Sequence, residues 1–225
     1  MAFWAARGGR KDAFPGADGS TITQATPPNI NATATPIYGA NGDILEEEST
    51  GVIKVEITTD GIVGKDNTSL MYATKNPLTF IYNSVIPRDW YTDTEMYQNN
   101  ALWANNVKTN YDPCPKGWRV PKDSELTYGD FFAETFLYYI QGNQTSLESY
   151  NATNGRLYNQ TSWFPTAGAR RYLSGSLGYV GRNSSYWSTS INGISVKSLD
   201  FDISAIHLSY PLNRAAGLSV RCIQE

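Results

Sequence analysis

Apolar and polar residues alternate one by one in two segments near the end of the chain, residues 198–203 and 218–221. A period of two is typical of a strand with one buried face. Short apolar segments punctuated by glycines fill the rest of residues 163–225, which predicts an antiparallel sheet with connecting loops. Two earlier strands are predicted at residues 52–58, which also alternate, and at residues 78–82.

One helix is predicted at residues 123–141, and two shorter helices split near Gly129 fit the pattern equally well. The apolar residues that define one helical face are Phe131, Phe132, Phe136, Leu137 and Ile140. A helical region followed by a meandering sheet predicts an α+β fold.

The first 50 residues differ from the rest of the chain. Gly, Ala, Ser, Thr, Asn and Pro dominate them, and large apolar residues are few. We interpret residues 1–50 as an extended arm or linker, with a disordered tail as the alternative. Residues 51–225 are predicted to form one compact domain, because 40% of the 225 residues are hydrophobic and can build a core.

Charge and composition exclude several functions. The net charge is −3 and no run of Lys or Arg occurs, which argues against a surface that tracks nucleic-acid phosphates. A single histidine, His207, and two cysteines argue against a His-dependent triad and a tetrahedral zinc site, so no metal or cofactor is expected. No stretch approaches the roughly 20 apolar residues of a membrane span, so no membrane insertion is expected.

The two cysteines are Cys114, which lies between prolines in DPCPKGWRVP, and Cys222, which lies in the last predicted strand. Flanking prolines fix the backbone around Cys114, which suits a structural cross-link in an exported protein. Two buried free thiols are the alternative. The first residues, MAFWAARGGRKDAF, have no apolar core of a secretory signal, so we expect that a signal was removed or that export follows another route.

Several blocks within residues 51–225 resemble a family of Bacteroidetes surface-protein domains. The blocks are DPCPKGWRVP, WFPTAG, YVGRNSSYWSTS, LDFD and NRAAGLSVRCIQE. They are similar to the Fibrobacter-type major paralogous domain and to C-terminal domains of fimbrillin-associated adhesins. The resemblance implies the formylglycine-generating-enzyme branch of the C-type lectin-like fold, with antiparallel sheets, one or two helices and long loops. It also implies a disulfide between Cys114 and Cys222.

Residues 164–222 further resemble the variable region of a diversity-generating retroelement target protein. Adenine-directed mutagenesis in such proteins does not yield Glu, Gln or Met, and none of these occurs between Phe164 and Cys222. Such mutagenesis does not yield Lys either, so Lys197 departs from the pattern. The resemblance implies a fixed scaffold that carries exchangeable ligand-binding positions. Those positions are Arg171, Tyr172, Arg182, Ser184, Ser185, Asn192, Ile194, Ser204, His207, Tyr210 and Leu212.

No catalytic residue is predicted. The formylglycine-generating enzymes need a reactive cysteine pair, whereas Cys114 and Cys222 match structural positions and no third cysteine exists. The calcium-binding tripeptides of carbohydrate-binding C-type lectins are absent. Asp200 and Asp202 flank Phe201 and could form a carboxylate pair, but solvated alternation opposite a buried face is the preferred interpretation.

The residues favour a non-catalytic adhesin or receptor-binding protein, since Tyr, Ser, Asn, Gly and Arg suit adaptable recognition surfaces. The expected partner is a protein or glycan receptor on another cell surface. We expect an extracellular location at a phage tail-fibre tip, where residues 1–50 would attach the domain or assemble it as a homotrimer. The alternatives are a pilus-tip or cell-surface adhesin of a Bacteroidetes bacterium and, third, a purely structural particle protein.

Overall fold

Strands make up most of the secondary structure in the computed structural model of the chain. The residues that the structure describes are 4–7, 13–15, 23–24, 53–77, 79–103, 108–122, 131–132, 135–139, 150–151, 155–179 and 181–225. Their strands are β1 (Trp4–Arg7), β2 (Ala13–Pro15), β3 (Thr23–Gln24), β4 (Ile53–Glu56), β5 (Thr79–Tyr82), β6 (Trp118–Arg119), β7 (Phe136–Tyr139), β8 (Tyr150–Asn151), β9 (Gly155–Tyr158), β10 (Ser162–Pro165), β11 (Ala169–Arg170), β12 (Leu177–Gly178), β13 (Ser184–Asn192), β14 (Ser195–Phe201), β15 (Ile206–Leu212), β16 (Gly217–Ser219) and β17 (Ile223–Gln224). The helical elements among them are α1 (Leu70–Lys75) and a 3₁₀ turn at Glu95–Tyr97.

The predicted α+β class is therefore wrong, because six residues of α-helix accompany a chain otherwise built of strands in its described part. The helix expected at residues 123–141 is wrong where it can be compared, since Phe136–Tyr139 forms β7. Residues 123–130, 133–134 and 140–141 lie outside the described residues. Aromatic side chains favour extended backbone and outweigh the helical spacing here. Phe136 is buried and its neighbour Leu137 is exposed, as on the two faces of a strand.

The two early strand predictions are confirmed. β4 and β5 fall within residues 52–58 and 78–82, and they pair in parallel, from Ile53↔Thr79 to Glu56↔Tyr82. Leu199 and Phe201 are fully buried as the alternation predicts. Ile203 is exposed, because β14 ends at Phe201 and the next residues turn.

The largest sheet contains the candidate ligand-binding residues. Its strand order is β12-β11-β16-β13-β14-β15, and β1 pairs with β16 while β2 pairs with β1. β13, β14 and β15 are consecutive antiparallel strands. β16 lies parallel to β13, with Tyr186 opposite Ser219. A second sheet has the order β10-β9-β7.

An aromatic cluster joins these two sheets. Its buried members are Phe131, Phe136, Phe164, Tyr186, Leu199 and Phe201. The ring of Phe136 in β7 meets that of Phe201 in β14 edge-on at 5.1 Å, and Phe164 in β10 meets Tyr186 in β13 at 5.3 Å. Edge-on packing of this kind adds to the stabilisation from buried area alone, so one face of the large sheet has a firm apolar support.

The opposite face of the large sheet packs on a second cluster, which contains Trp103, Trp187, Val196 and Leu218. The disulfide predicted from the resemblance is confirmed here: Cys114 is bonded to Cys222, with a Cα–Cα distance of 5.7 Å. The bond lies next to the short pairing of β6 with β17, so it fastens the C-terminal strand to the middle of the chain.

Three short strands lie within residues 1–50, the segment predicted to be an arm. β1 pairs antiparallel with β16, β2 pairs with β1, and β3 pairs with β8. The other residues of this segment lie outside the described residues, and the division of the chain at residue 50 stays a prediction.

Candidate ligand-binding surface

A β-bulge brings His207 and Tyr210 to the same face of the sheet. His207 is opposite Asp200 and Tyr210 is opposite Ser198, so two steps along β14 correspond to three steps along β15. Ser198 and Asp200 share a face because they are two residues apart, and their partners share it with them. Both side chains are exposed, and their ring centroids are 5.6 Å apart. The two rings form an exposed platform on β15, the edge strand of the described sheet.

Asp200 lies beside this platform and is largely buried. Its Oδ2 accepts hydrogen bonds from Ser185 Oγ at 2.6 Å and from Asn183 Nδ2 at 3.4 Å. Burial raises the pKa of the Asp200 carboxyl, while the Ser185 hydrogen bond and the nearby His207 lower it by less. Asp200 and Asp202 alternate with the buried Leu199 and Phe201 as predicted, but Asp200 is partly withdrawn from solvent. It is a fixed acceptor that holds neighbouring side chains in place.

The turn between β14 and β15 is ordered by Asp202. Its Oδ1 accepts hydrogen bonds from Ser204 N–H at 2.7 Å, Ser204 Oγ at 2.8 Å and Ala205 N–H at 2.7 Å. Burial alone would raise the pKa of Asp202, but these bonds together lower it. Ser204 is exposed on this turn. Its hydroxyl is already used as a donor, which leaves its oxygen to accept from a ligand.

Asn192 and Ile194 lie in the tight turn between β13 and β14. Asn192 is opposite Ser195, so Gly193 and Ile194 form a two-residue loop. Gly193 has φ +59°, a conformation that favours glycine at the start of such a turn. The backbone oxygen of Ile194 accepts a hydrogen bond from Gln98 Nε2 at 3.1 Å. Asn192 is exposed, so the turn presents its amide to solvent.

A buried ion pair supports the same turn from below. Arg214 Nη1 lies 3.7 Å from Asp89 Oδ2, and the two side chains are 4% and 2% exposed. Arg214 Nη2 donates to Asn100 Oδ1 at 2.6 Å and to Gly193 O at 3.4 Å. Gln98 Nε2 donates to Asp89 Oδ2 at 2.9 Å as well as to Ile194. The turn is thus positioned by a network of polar side chains built around the buried pair of Asp89 and Arg214.

Burial raises the pKa of Asp89, against the opposing effects of the Tyr91 N–H, the charge of Arg214 and Gln98. Beside the pair lies a cavity of about 20 Å³, which is lined by Asn99, Ser188 and Thr189 among others. A cavity of this size holds about one water molecule. It is too small for a sugar ring.

Two predicted site residues, Arg171 and Tyr172, lie away from this platform. They follow β11, which pairs with β12 and β16 and not with β14 or β15. Arg182 lies in the turn between β12 and β13. Tyr172 packs against two buried clusters, and Arg88 lies over its ring at 5.1 Å. The predicted residues therefore form two groups rather than one.

Three other predicted residues contribute little exposed surface. Ser184 and Ser185 are 0% and 4% exposed, and Leu212 packs against the Trp187 cluster. Ser185 donates its hydroxyl proton to Asp200 rather than to His207, so the three residues do not have the arrangement of a nucleophilic triad. The exposed predicted residues on β15 and at the two ends of β14 are Asn192, Ser204, His207 and Tyr210. We call these four residues the edge surface.

Sequence reasoning missed the residues that position this surface: Asp89, Gln98, Arg156 and Arg214. Arg156 Nη2 donates to Asp202 O at 2.6 Å, and Arg156 Nη1 donates to Phe136 O at 2.7 Å, so it holds the β14–β15 turn from β9. Of these four residues, Arg214 lies in a block quoted for the resemblance, NRAAGLSVRCIQE. Asp89, Gln98 and Arg156 lie in segments without a distinctive pattern.

Comparisons with known proteins provide no relative for this chain. No family model matches it, and no curated protein or solved structure matches it either. In the described part of the chain, no group of three or more His, Cys, Asp or Glu side chains is arranged to hold a metal ion. No described helix has the length and apolar character that a membrane crossing requires.

Proposed function

We propose that the chain is a non-catalytic receptor-binding protein that recognises a protein or glycan through the edge surface. The observation that carries this proposal is the exposed pair His207 and Tyr210, aligned by the bulge in β15 with their rings 5.6 Å apart. Exposed aromatic side chains on a firm support provide contact area with little loss of conformational entropy. Leu199 and Phe201, buried beneath the same strands, supply that support.

The chemistry of the edge surface suits binding better than catalysis. Asn192 and Ser204 add hydrogen-bonding groups at the two ends of the β14 hairpins. The neighbouring carboxylate, Asp200, is already held by Ser185 and Asn183. An extracellular carrier fits the disulfide, which persists in oxidising environments. We propose a phage tail-fibre tip as this carrier, and a bacterial pilus-tip or surface adhesin as the alternative.

We further propose that a retroelement diversifies this surface, on the basis of the resemblance of residues 164–222. Exchange is compatible with folding at exposed positions such as Asn192, His207 and Tyr210. Buried positions such as Trp187 and Phe201 tolerate it poorly, because large-to-small changes in a core cost about 2–5 kcal/mol.

Binding should depend on the platform. The double substitution H207A/Y210A should reduce binding of the fluorescently labelled chain to Bacteroidetes cells and to an immobilised glycan array by at least about tenfold, since exposed aromatic anchors often contribute more than 1.4 kcal/mol. The melting temperature should change by less than about 2 °C. The matched control is W118A, because Trp118 is as exposed as Tyr210 (43% and 44%) but lies on β6. Equal binding of H207A/Y210A and the unsubstituted chain would contradict the proposal.

The neighbouring DNA should contain a near-repeat of the codons for residues 164–225 beside a reverse-transcriptase gene. Its differences should occur at adenines and include the codons for Asn192, His207 and Tyr210. Codons for Trp187 and Phe201 should be unchanged, because both side chains are 0% exposed. Sequencing of the locus decides the question, and a locus without such a repeat would refute diversification while leaving the binding proposal intact.

A further inference from the structure

β16 lies inside the large sheet because the N-terminal strand covers one of its edges. On one side, β16 pairs with β11 at Gly217 and with β13 at Ser219. On the other side it pairs with β1 through Ala5↔Ser219, Ala6↔Leu218 and Arg7↔Gly217. All three residues of β16 are buried. This edge of the sheet is therefore completed by a segment from the opposite end of the chain.

The covered edge needs a strand partner. Without β1, the backbone groups of β16 that face it would lose their hydrogen bonds, and an unpaired buried backbone group destabilises the fold. Edges of this kind accept extended segments, with main-chain hydrogen bonds providing the affinity. The pairing with β1 identifies a sequence that fits this edge, in antiparallel register over three residues.

β1 joins the large sheet through its pairing with β16. Within the described residues, β1 pairs with β16 and with β2, and β3 pairs with β8 over two residues. Residues 25–52 join these three strands to β4, and 28 residues reach at most about 100 Å. A folded chain of this length has a radius of gyration of about 17 Å. The linker is long enough for the three strands to reach a neighbouring copy.

We propose that the edge of β16 is a strand-acceptor site that takes β1 of a second copy of this chain, so that copies join by exchanging their N-terminal strands. The same hydrogen bonds form whether β1 comes from its own chain or from a partner, and exchange of an identical element is a low-cost route to assembly. β3 moves with β1 in the exchanged form. The site lies across β16 from β13, β14 and β15, so exchange leaves the edge surface open and does not depend on the proposed function.

The test uses two full-length chains with different affinity tags, coexpressed in one cell. One carries A5C and the other S219C, because Ala5 and Ser219 are directly opposite each other in the pairing of β1 with β16. After mild oxidation, a non-reducing gel should show a heterodimer that carries both tags. A chain that carries both A5C and S219C should cross-link in either form, internally where β1 pairs within its own chain and between copies where it is exchanged, which verifies the register.

The matched control pairs the A5C chain with an S204C chain. Ser204 is exposed on the turn between β14 and β15, so random collisions would cross-link it more readily than the buried Ser219. A heterodimer yield for A5C with S219C that is several times the yield of this control supports exchange. A yield no greater than the control would overturn the proposal, and so would a doubly substituted chain that forms no cross-link of either kind.

Discussion

Arg156 ties three elements together through one side chain. It is 5% exposed, and its guanidinium donates to Phe136 O, Asp202 O and Ile203 O. Its guanidinium carbon lies 5.4 Å from the centre of the Tyr138 ring. Burial lowers the pKa of Arg156, and the charges of Asp202 and Tyr138 oppose that effect. The turn that presents Ser204 therefore depends on an arginine 46 residues earlier in the chain.

Substitution of Arg156 should be costly. R156M keeps much of the apolar stem but leaves three carbonyl oxygens without this donor, so the free energy of unfolding should fall by about 2–4 kcal/mol. R156K should recover part of the loss, because one ammonium cannot reproduce the planar fork of donors. Urea unfolding measures both. The control R182M replaces an exposed arginine and should change the value by less than about 0.5 kcal/mol. Equal losses for R156M and R182M would contradict this role.

The strands show which features of an element the sequence can predict. Alternation correctly located β4, β14 and the burial of Leu199, because burial on one face leaves a period of two. The same reasoning failed for β7, where aromatic residues at helical spacing form a strand. It also could not predict the bulge in β15, since regular alternation would place His207 and Tyr210, three residues apart, on opposite faces. The platform depends on the one extra residue that makes the bulge in β15, and no residue type in the sequence indicates that bulge.

Local sequence patterns also do not show which strands pair with each other in the sheet. Arg171 and Tyr210 both belong to the segment interpreted as variable, yet Arg171 follows β11, which pairs with β12 and β16, and Tyr210 lies in β15, which pairs with β14. Which positions share a surface depends on long-range pairing, such as that of β16 with β1, β11 and β13. The buried pair of Asp89 and Arg214 has the same origin, because 125 residues separate two side chains that meet only after the sheet has formed.

At the scale of the whole molecule, the Cys114–Cys222 bond encloses every predicted ligand-binding residue in one covalent loop. The two cysteines are 108 residues apart in sequence. Closing a loop of that length removes conformational freedom mainly from the unfolded chain, which in the chain-entropy model stabilises the fold by about 5 kcal/mol. The disulfide prediction was correct because the blocks around both cysteines are distinctive in sequence, unlike the contacts of Arg156.

Removal of the disulfide should destabilise the protein as a whole. C114A/C222A should lower the free energy of unfolding by about 3–5 kcal/mol, measured by urea denaturation. The unsubstituted chain in a strong thiol reductant should fall to about the same value, and the variant itself should not respond to the reductant. A response of the variant, or equal stability of the oxidised chain and the variant, would show that the bond does not support the fold.

The same covalent loop has a mechanical consequence. When tension is applied between residues before Cys114 and the C-terminal end, the load passes directly from one cysteine to the other. About 380 Å of contour length between them is thereby shielded from extension. Such a load stretches the part of the chain that precedes Cys114, while His207 and Tyr210 keep the relative geometry that the sheet gives them.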